Sequence, residues 1–301
     1  MIYDHHIHPN APPRTIEFLV DSLLERIPVG AVDGGVVPAL GPLRAHRFGH
    51  DEDAFSDADV NDDVLEAYRQ QAVELHDRFV HDHGVFVVEF LGSTGSGKTS
   101  LIERLVDRSD DPAAVGVIVG DVAGEDDAER LRDHGATVAT VNTGRECHLD
   151  RSFIEAGLEK LDPAALDTLF IENVGNMVCP ADVPLGAQAR ILVVSTTEGD
   201  DVVRKHPLLV QAADAAVINK VDLADAVGAD LDRMLADVEA VAGDVPTFPT
   251  SVERGDGLES LFAYVDEVER RGHAPTEGDH VETPARPSEA DPTGVTLDGD
   301  Q

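Results

Sequence analysis

Residues 85–106 read VFVVEFLGSTGSGKTSLIERLV, and this stretch decides the fold. Its first seven residues form an almost unbroken apolar run between Gly84 and Gly92, as suits a strand buried in a parallel sheet. GSTGSGKT, Gly92 to Thr99, then matches G-x-x-x-x-G-K-[ST], and Leu101, Ile102, Leu105 and Val106 recur behind it at helical spacing. Strand, glycine loop and helix in this order make a phosphate cradle. Gly92, Gly95 and Gly97 let the chain turn so that backbone N–H groups converge on phosphate oxygens, with Ser93, Thr94 and Ser96 completing the loop. Lys98 brings charge to the β- and γ-phosphates, and Thr99 offers a hydroxyl to Mg2+. The motif predicts a nucleoside-triphosphate site.

Outward from the loop, strand and helix patterns alternate. Candidate strands are Val115–Val119, Thr137–Val141, Thr168–Glu172, Ile191–Ser195, Ala215–Asn219 and Pro246–Thr250. A helix with Leu258, Leu261, Phe262, Val265 and Val268 on one face closes the series. This alternation predicts an α/β, P-loop NTPase fold with a mostly parallel sheet flanked by helices. Before the loop, Asn61 or a nearby Asp caps a helix whose expected inner face is Val64, Tyr68, Leu75 and Phe79, stopped at Gly84. An earlier helix is expected over residues 15–27, followed by a linker rich in Gly, Pro, His and Asp. The expected division is a flexible N-terminal extension over 1–59, a nucleotide-binding domain over 60–271, and a disordered acidic tail over 272–301.

Composition narrows the function. The chain has 301 residues, with 59 acidic against 23 basic side chains and a formal net charge of −36, which disfavours nucleic acid as a partner. No run of 18 apolar residues occurs, and residues 1–8 lack a signal-peptide core, so neither a membrane span nor export is expected. Two cysteines make no disulfide framework, and a reducing, cytoplasmic setting follows as an expectation. The carboxylates are spread along the whole chain, and only four lysines are present: Lys98, Lys160, Lys205 and Lys220. Such a surface suits a salt-rich, halophilic cytoplasm, where ions screen its self-repulsion.

NKVD, Asn219 to Asp222, follows the strand AAVI and has the N-K-x-D form of guanine-binding loops. A carboxylate in the plane of guanine accepts from N1–H and the exocyclic amine together, and adenine offers no such pair. Asp222 is therefore the expected base discriminator, with Lys220 laid over the ring and Asn219 bracing the loop. Ser251 and Val252, in TSVERGDG, occupy the place of a last base-contacting loop. Asp121 and Glu172 end strands and are expected near Mg2+ together with Thr99, because ligands sit beyond the carboxyl ends of parallel strands. ENVG, Glu172 to Gly175, stands where GTPases have D-x-x-G, which makes Gly175 the γ-phosphate sensor. A small-molecule kinase using ATP shares the phosphate loop, but NKVD argues against it.

Cys147 and His148 are adjacent in TGRECHLD, and Cys179 lies in GNMVCPAD just past ENVG. Thiolate and imidazole suit Ni2+ or Zn2+, although a lone cysteine is more often a small buried hydrophobe. Three ligands are too few for a closed tetrahedral site, and two copies across a symmetric dimer would complete one.

Taken together, GSTGSGKT, VNTGRECHLD, LFIENVGNMVCPADVPLG, STTEGDD and NKVDL, in this order, resemble the HypB family over about residues 60–270. That resemblance implies a dimerising GTPase that helps insert nickel into [NiFe] hydrogenase. GTP and Mg2+ are its implied cofactors, and Cys147, His148 and Cys179 carry its implied nickel or zinc site. The partners it implies are a second copy in the GTP state, a HypA-like nickel- and zinc-binding accessory protein, and the hydrogenase large-subunit precursor. A urease-type nickel GTPase and a metal-buffering protein are the competing readings. The N-terminus departs from the family's Cys-rich or long His-rich forms: it has no cysteine, only His5, His6 and His8, then His46 and His50.

The charge balance makes one prediction. Screening shortens from about 10 Å at 0.1 M salt to about 3 Å at 1 M, so the thermal midpoint should climb steadily over that range of KCl. A protein that stays equally stable and soluble at low ionic strength contradicts the salt-adapted reading.

Overall fold

Seven short apolar runs pair into a wholly parallel sheet in the computed structural model, which describes residues 57–121, 125–144, 146–243 and 245–272. The strands are β1 (Phe86–Leu91), β2 (Val115–Asp121), β3 (Thr137–Asn142), β4 (Thr168–Glu172), β5 (Ala189–Ser195), β6 (Ala215–Asn219) and β7 (Thr247–Pro249). Their spatial order is β3-β2-β4-β1-β5-β6-β7. The longer helices among the described residues are α1 (Asp57–His76), α2 (Lys98–Asp107), α3 (Asp126–Asp133), α4 (Arg151–Leu158), α5 (Leu231–Ala242) and α6 (Leu258–Gly272). The chain runs outward from β1 on one side, returns through β4, then builds β5 to β7 on the other. The carboxyl end of β1 is thus the switch point at which ligands bind in such sheets.

Period-two alternation sorts the core into two faces. From β1, Phe86, Val88 and Phe90 pack with Leu101, Ile102 and Leu105 of α2 and with Leu258, Leu261 and Val265 of α6. Val87 faces the other way, against Leu75 and Phe79 and against Ile154 and Leu158 of α4. Leu91 shares that second face with Met234 and Val238 of α5. Glu89 falls on the same second face by alternation and is fully buried there.

Strand bounds agree with the expected ones to within two residues. The helix ahead of the sheet differs more. It starts at Asp57, so it takes in residues assigned to the extension, and it continues as a π-helical stretch over Asp77–Asp82. Its inner face holds Leu65, Ala72, Leu75 and Phe79, whereas Val64 points outward at 38% exposure. The expected face erred by one position because acidic residues flank both candidates, and only the packing partner separates Val64 from Leu65. The expected helix over residues 15–27, the linker up to residue 56 and the tail from residue 273 lie outside the described residues. Among those described, no helix is long and apolar enough to cross a membrane.

The π-helical stretch is anchored by Phe79, which is 1% exposed. Removing that ring costs about 3–5 kcal/mol. Phe79→Ala should therefore lower the denaturation midpoint of the whole nucleotide-binding domain in one cooperative transition. A separate early transition would show that this helix is not part of the core.

Candidate functional site

The phosphate loop opens from the buried end of β1 and feeds the N-terminus of α2. Helix α2 has no acidic residue in its first turn, and its cap is Gly97 at φ 105°. The free amides of that turn face the loop as an anion site. Lys98 is buried, and its ammonium donates to the carbonyls of Gly92 (3.2 Å) and Ser93 (3.0 Å). Burial pushes the Lys98 ammonium below its ordinary range, against the pull of Glu172.

The base loop is tied directly to the phosphate loop. Asn219, at the end of β6, donates to the Ser96 carbonyl (3.0 Å) and accepts from Thr250 Oγ1 (3.2 Å). A Cβ at Gly97 would lie 2.2 Å from Asn219 Nδ2, so this approach requires glycine. Lys220 holds a left-handed backbone (φ 59°), and its ammonium reaches the Gly95 carbonyl at 2.5 Å. The Lys220 carbonyl accepts from Thr196 Oγ1 (2.6 Å), and the Val221 amide donates to the Thr250 carbonyl (3.1 Å). Half-buried Asp222 sits in the short turn Val221–Leu223, beside the loop that carries Ser251. Ser251 is fully buried, its amide donating to Asp256 O (3.0 Å) while its hydroxyl accepts from the Arg254 amide (3.2 Å). Val252, half-buried, packs at the edge of the core, and its carbonyl accepts from Arg104 (3.3 Å). Ser251 thus serves first to shape its own loop. Glu198, which sequence reading did not single out, closes a capping box with Ser195, and burial pushes its carboxyl up despite the nearby Lys220 and Lys98.

On the metal side of the loop, Thr99 Oγ1 donates to Glu172 Oε1 at 2.9 Å. The other oxygen, Glu172 Oε2, is buried without a protein partner, and burial raises the carboxyl to about 7 despite Lys98 and Thr99. An orphaned carboxylate oxygen beside a threonine hydroxyl is an oxygen donor set that fits Mg2+. Asp121 ends β2, beyond Val119, which is in register with Glu172. Gly175 comes so close to the loop that a Cβ there would lie 2.1 Å from Thr94 Oγ1. The next residue, Asn176, forms an antiparallel bridge with Gly92.

That bridge leads to sulfur. Asn176 Oδ1 accepts from the amides of Val178 (2.7 Å) and Cys179 (3.0 Å), which fixes the turn carrying Cys179. Ligand atoms of Cys147, His148 and Cys179 all lie within 4.8 Å of one another, and the three residues are half-buried. A tetrahedral ion with bonds of about 2.0–2.3 Å holds its ligands about 3.3–3.8 Å apart. A closing of up to about 1.5 Å therefore fits this donor set to a borderline-soft cation. The Cys179 thiol and then His148 hold the Cys147 thiol well below its ordinary range, whereas the same contact pushes Cys179 up. Cys147 in turn raises His148. Tyr68 of α1 stands edge-on to the His148 ring at 6.5 Å, so α1 walls the cluster.

Beneath the cluster lies a polar seam that sequence reading missed. Asn173 Nδ2 donates to Glu89 Oε1 (2.7 Å), and Arg190 Nε donates to Glu89 Oε2 (2.9 Å). The only signal in the sequence was a charge inside the apolar run VFVVEFL. Glu89 is 0% and Arg190 12% exposed by side chain, and removing one member of such a pair costs about 3–5 kcal/mol.

Comparisons with known proteins agree with this architecture. The family model "CobW/HypB/UreG, nucleotide-binding domain" matches residues 86–249. A curated protein of Methanocaldococcus jannaschii, named "Probable hydrogenase maturation factor HypB", is 44% identical over 69% of this chain and 94% of its own length. The crystal structure of hydrogenase maturation factor HypB from Archaeoglobus fulgidus aligns at 39% identity and a TM-score of 0.63, covering 68% of this chain and 99% of that one. The structure of Helicobacter pylori HypB in complex with nickel aligns at 33% identity and a TM-score of 0.64, over 71% and 100% of the two chains. On the match over more than half its length and on a relative at 44% identity, this chain belongs to the HypB family within the CobW/HypB/UreG nucleotide-binding domains.

Proposed function

We propose that the chain is a GTP-hydrolysing metallochaperone that binds nickel and hands it on during maturation of [NiFe] hydrogenase. One observation carries this reading. The segment from Glu172 to Cys179 touches the phosphate loop at one end, through Thr99 and Gly92, and holds a thiol of the cation cluster at the other. The names of its relatives, and the nickel bound by the Helicobacter pylori protein, support the same reading.

In this scheme the phosphate-loop residues Gly92 to Thr99 bind the triphosphate, and Lys98 neutralises its terminal oxygens. Thr99, Asp121 and Glu172 would hold Mg2+, which would supply charge neutralisation to the triphosphate. Asp222 selects guanine, Lys220 covers the ring, and Asn219 keeps both loops in register. Gly175 feels the terminal phosphate through its close approach to Thr94. Movement there displaces Asn176 and with it the Cys179 turn, so nickel is held in one nucleotide state and released in the other. Three protein ligands leave coordination unfinished, which favours a second copy in the GTP state. A HypA-like accessory protein and the hydrogenase large-subunit precursor are the proposed donor and acceptor, in the cytoplasm. The relative at 44% identity, named for hydrogenase maturation, supports the hydrogenase branch, while the Helicobacter relatives, named "Hydrogenase/urease maturation factor HypB", keep the urease-type reading beside it.

Calorimetry on two variants tests this division of labour. Cys179→Ala should weaken Ni2+ binding at least about tenfold and leave the affinity for a non-hydrolysable GTP analogue within about twofold. Asp222→Asn should do the reverse, removing a charge-assisted contact to guanine and with it about tenfold or more of the preference for GTP over ATP. Equal loss of both ligands in Cys179→Ala, or a wild-type preference for ATP, overturns the proposal.

A further inference from the structure

We propose that Glu89 is a positioning residue for the cation cluster, the shared acceptor that locks the Cys147–His148 loop and the Cys179 turn into one geometry. The inference rests on the nickel-binding reading above and deepens it.

Both halves of the cluster hang from Glu89 through one intermediary each. On one side, Asn173 donates its amide to Glu89 Oε1, which orients its own carbonyl oxygen outward. That oxygen accepts from the Leu149 amide (3.1 Å) and the Val174 amide (2.9 Å). Leu149 directly follows His148, so the Cys147–His148 loop is pinned at its next residue. On the other side, Arg190 donates Nε to Glu89 Oε2. Its remaining guanidinium nitrogens donate to Pro180 O (2.6 Å), Ala181 O (3.4 Å) and Ala212 O (3.2 Å). Pro180 directly follows Cys179. A carboxylate is the only side chain of this size that accepts at both of its ends, and both neighbours here are donors.

The amide orientation makes the arrangement all-or-none. If Asn173 turned its carbonyl toward position 89, the backbone amides of Leu149 and Val174 would each lose their acceptor. Asn173 follows Glu172 in the chain, so the same side chain also ties the cluster to the end of β4, next to the Thr99 contact. Across the sheet, Glu89 is in register with Ile171 of β4 and Arg190 of β5, which places it centrally beneath both segments. A role confined to packing does not need the partners on each side to end, one residue on, at a metal ligand.

Glu89→Gln is the direct test, because glutamine accepts at one end only and must set a donor against Asn173 or against Arg190. In the full chain, we expect the Ni2+ dissociation constant to rise by about 10–100-fold. The sulfur-to-nickel charge-transfer absorption should shift, while binding of a non-hydrolysable GTP analogue stays within about twofold. Arg190→Lys, which keeps a cation but cannot span Glu89 and the Pro180 carbonyl together, should give the same pattern and decides the matter if Glu89→Gln does not fold. Unchanged nickel affinity and absorption in whichever of these folds overturns the positioning role. Cys179→Ala run in parallel separates the two claims. Loss of nickel in that variant alone refutes Glu89 as a positioning residue, whereas no loss in any variant refutes the metal reading beneath it.

Discussion

Everything in this molecule turns on the few residues between Glu172 and Cys179, which are held at both ends and have little slack. At the start, Glu172 is bound to Thr99 in the helix that follows the phosphate loop. In the middle, Gly175 abuts Thr94 and Asn176 bridges Gly92. At the far end, the Asn176 side chain caps the turn that carries Cys179. In the proposed function a shift at one end of so short a segment is passed to the other, since packed interiors rearrange rather than stretch. The parallel sheet holds both ends of the segment in one frame.

Electrostatics explains why the frame tolerates charge where the alternation demands apolar side chains. In a chain of net charge −36, two of the four lysines, Lys98 and Lys220, have their ammonium groups on carbonyls of the phosphate loop. Lysine is scarce, and half of it lies where a polyanionic ligand is expected. Glu89 and Arg190 bury opposite charges beneath the thiols, Glu89 accepting at both oxygens and Arg190 donating from all three guanidinium nitrogens. A buried pair of this kind adds little net stability but fixes one arrangement among several. That property is useful under a site whose ligands come from two separate loops.

Much of the fold was legible because its signals are local. The strands announce themselves as short β-branched runs, and the loop as glycines ahead of a lysine, so the order of elements and the parallel sheet could be read from residues alone. The structure gathers Gly92 to Thr99, Glu172, Gly175 and the Asn219–Asp222 loop around one strand switch point, and Cys147, His148 and Cys179 into one cluster. What escaped the sequence is whatever depends on a distant partner. Val64 and Leu65 differ only in which one faces the sheet, and Tyr68, which packs against the core as its spacing predicts, also sets its ring edge-on to His148, a contact no spacing announces. Glu89 looked like an interruption in an apolar strand. Its two donors, Asn173 just past β4 and Arg190 of β5, come from distant parts of the chain.

The central claim is that occupancy of the terminal phosphate pocket is felt by the sulfur ligands. The most direct measurement is the Ni2+ dissociation constant of the wild-type chain, determined by calorimetry with GDP bound and again with a non-hydrolysable GTP analogue bound. Couplings between sites typically change affinity by about 5–150-fold, and the account predicts a difference of at least about fivefold between the two states. Identical nickel affinities in both would contradict it.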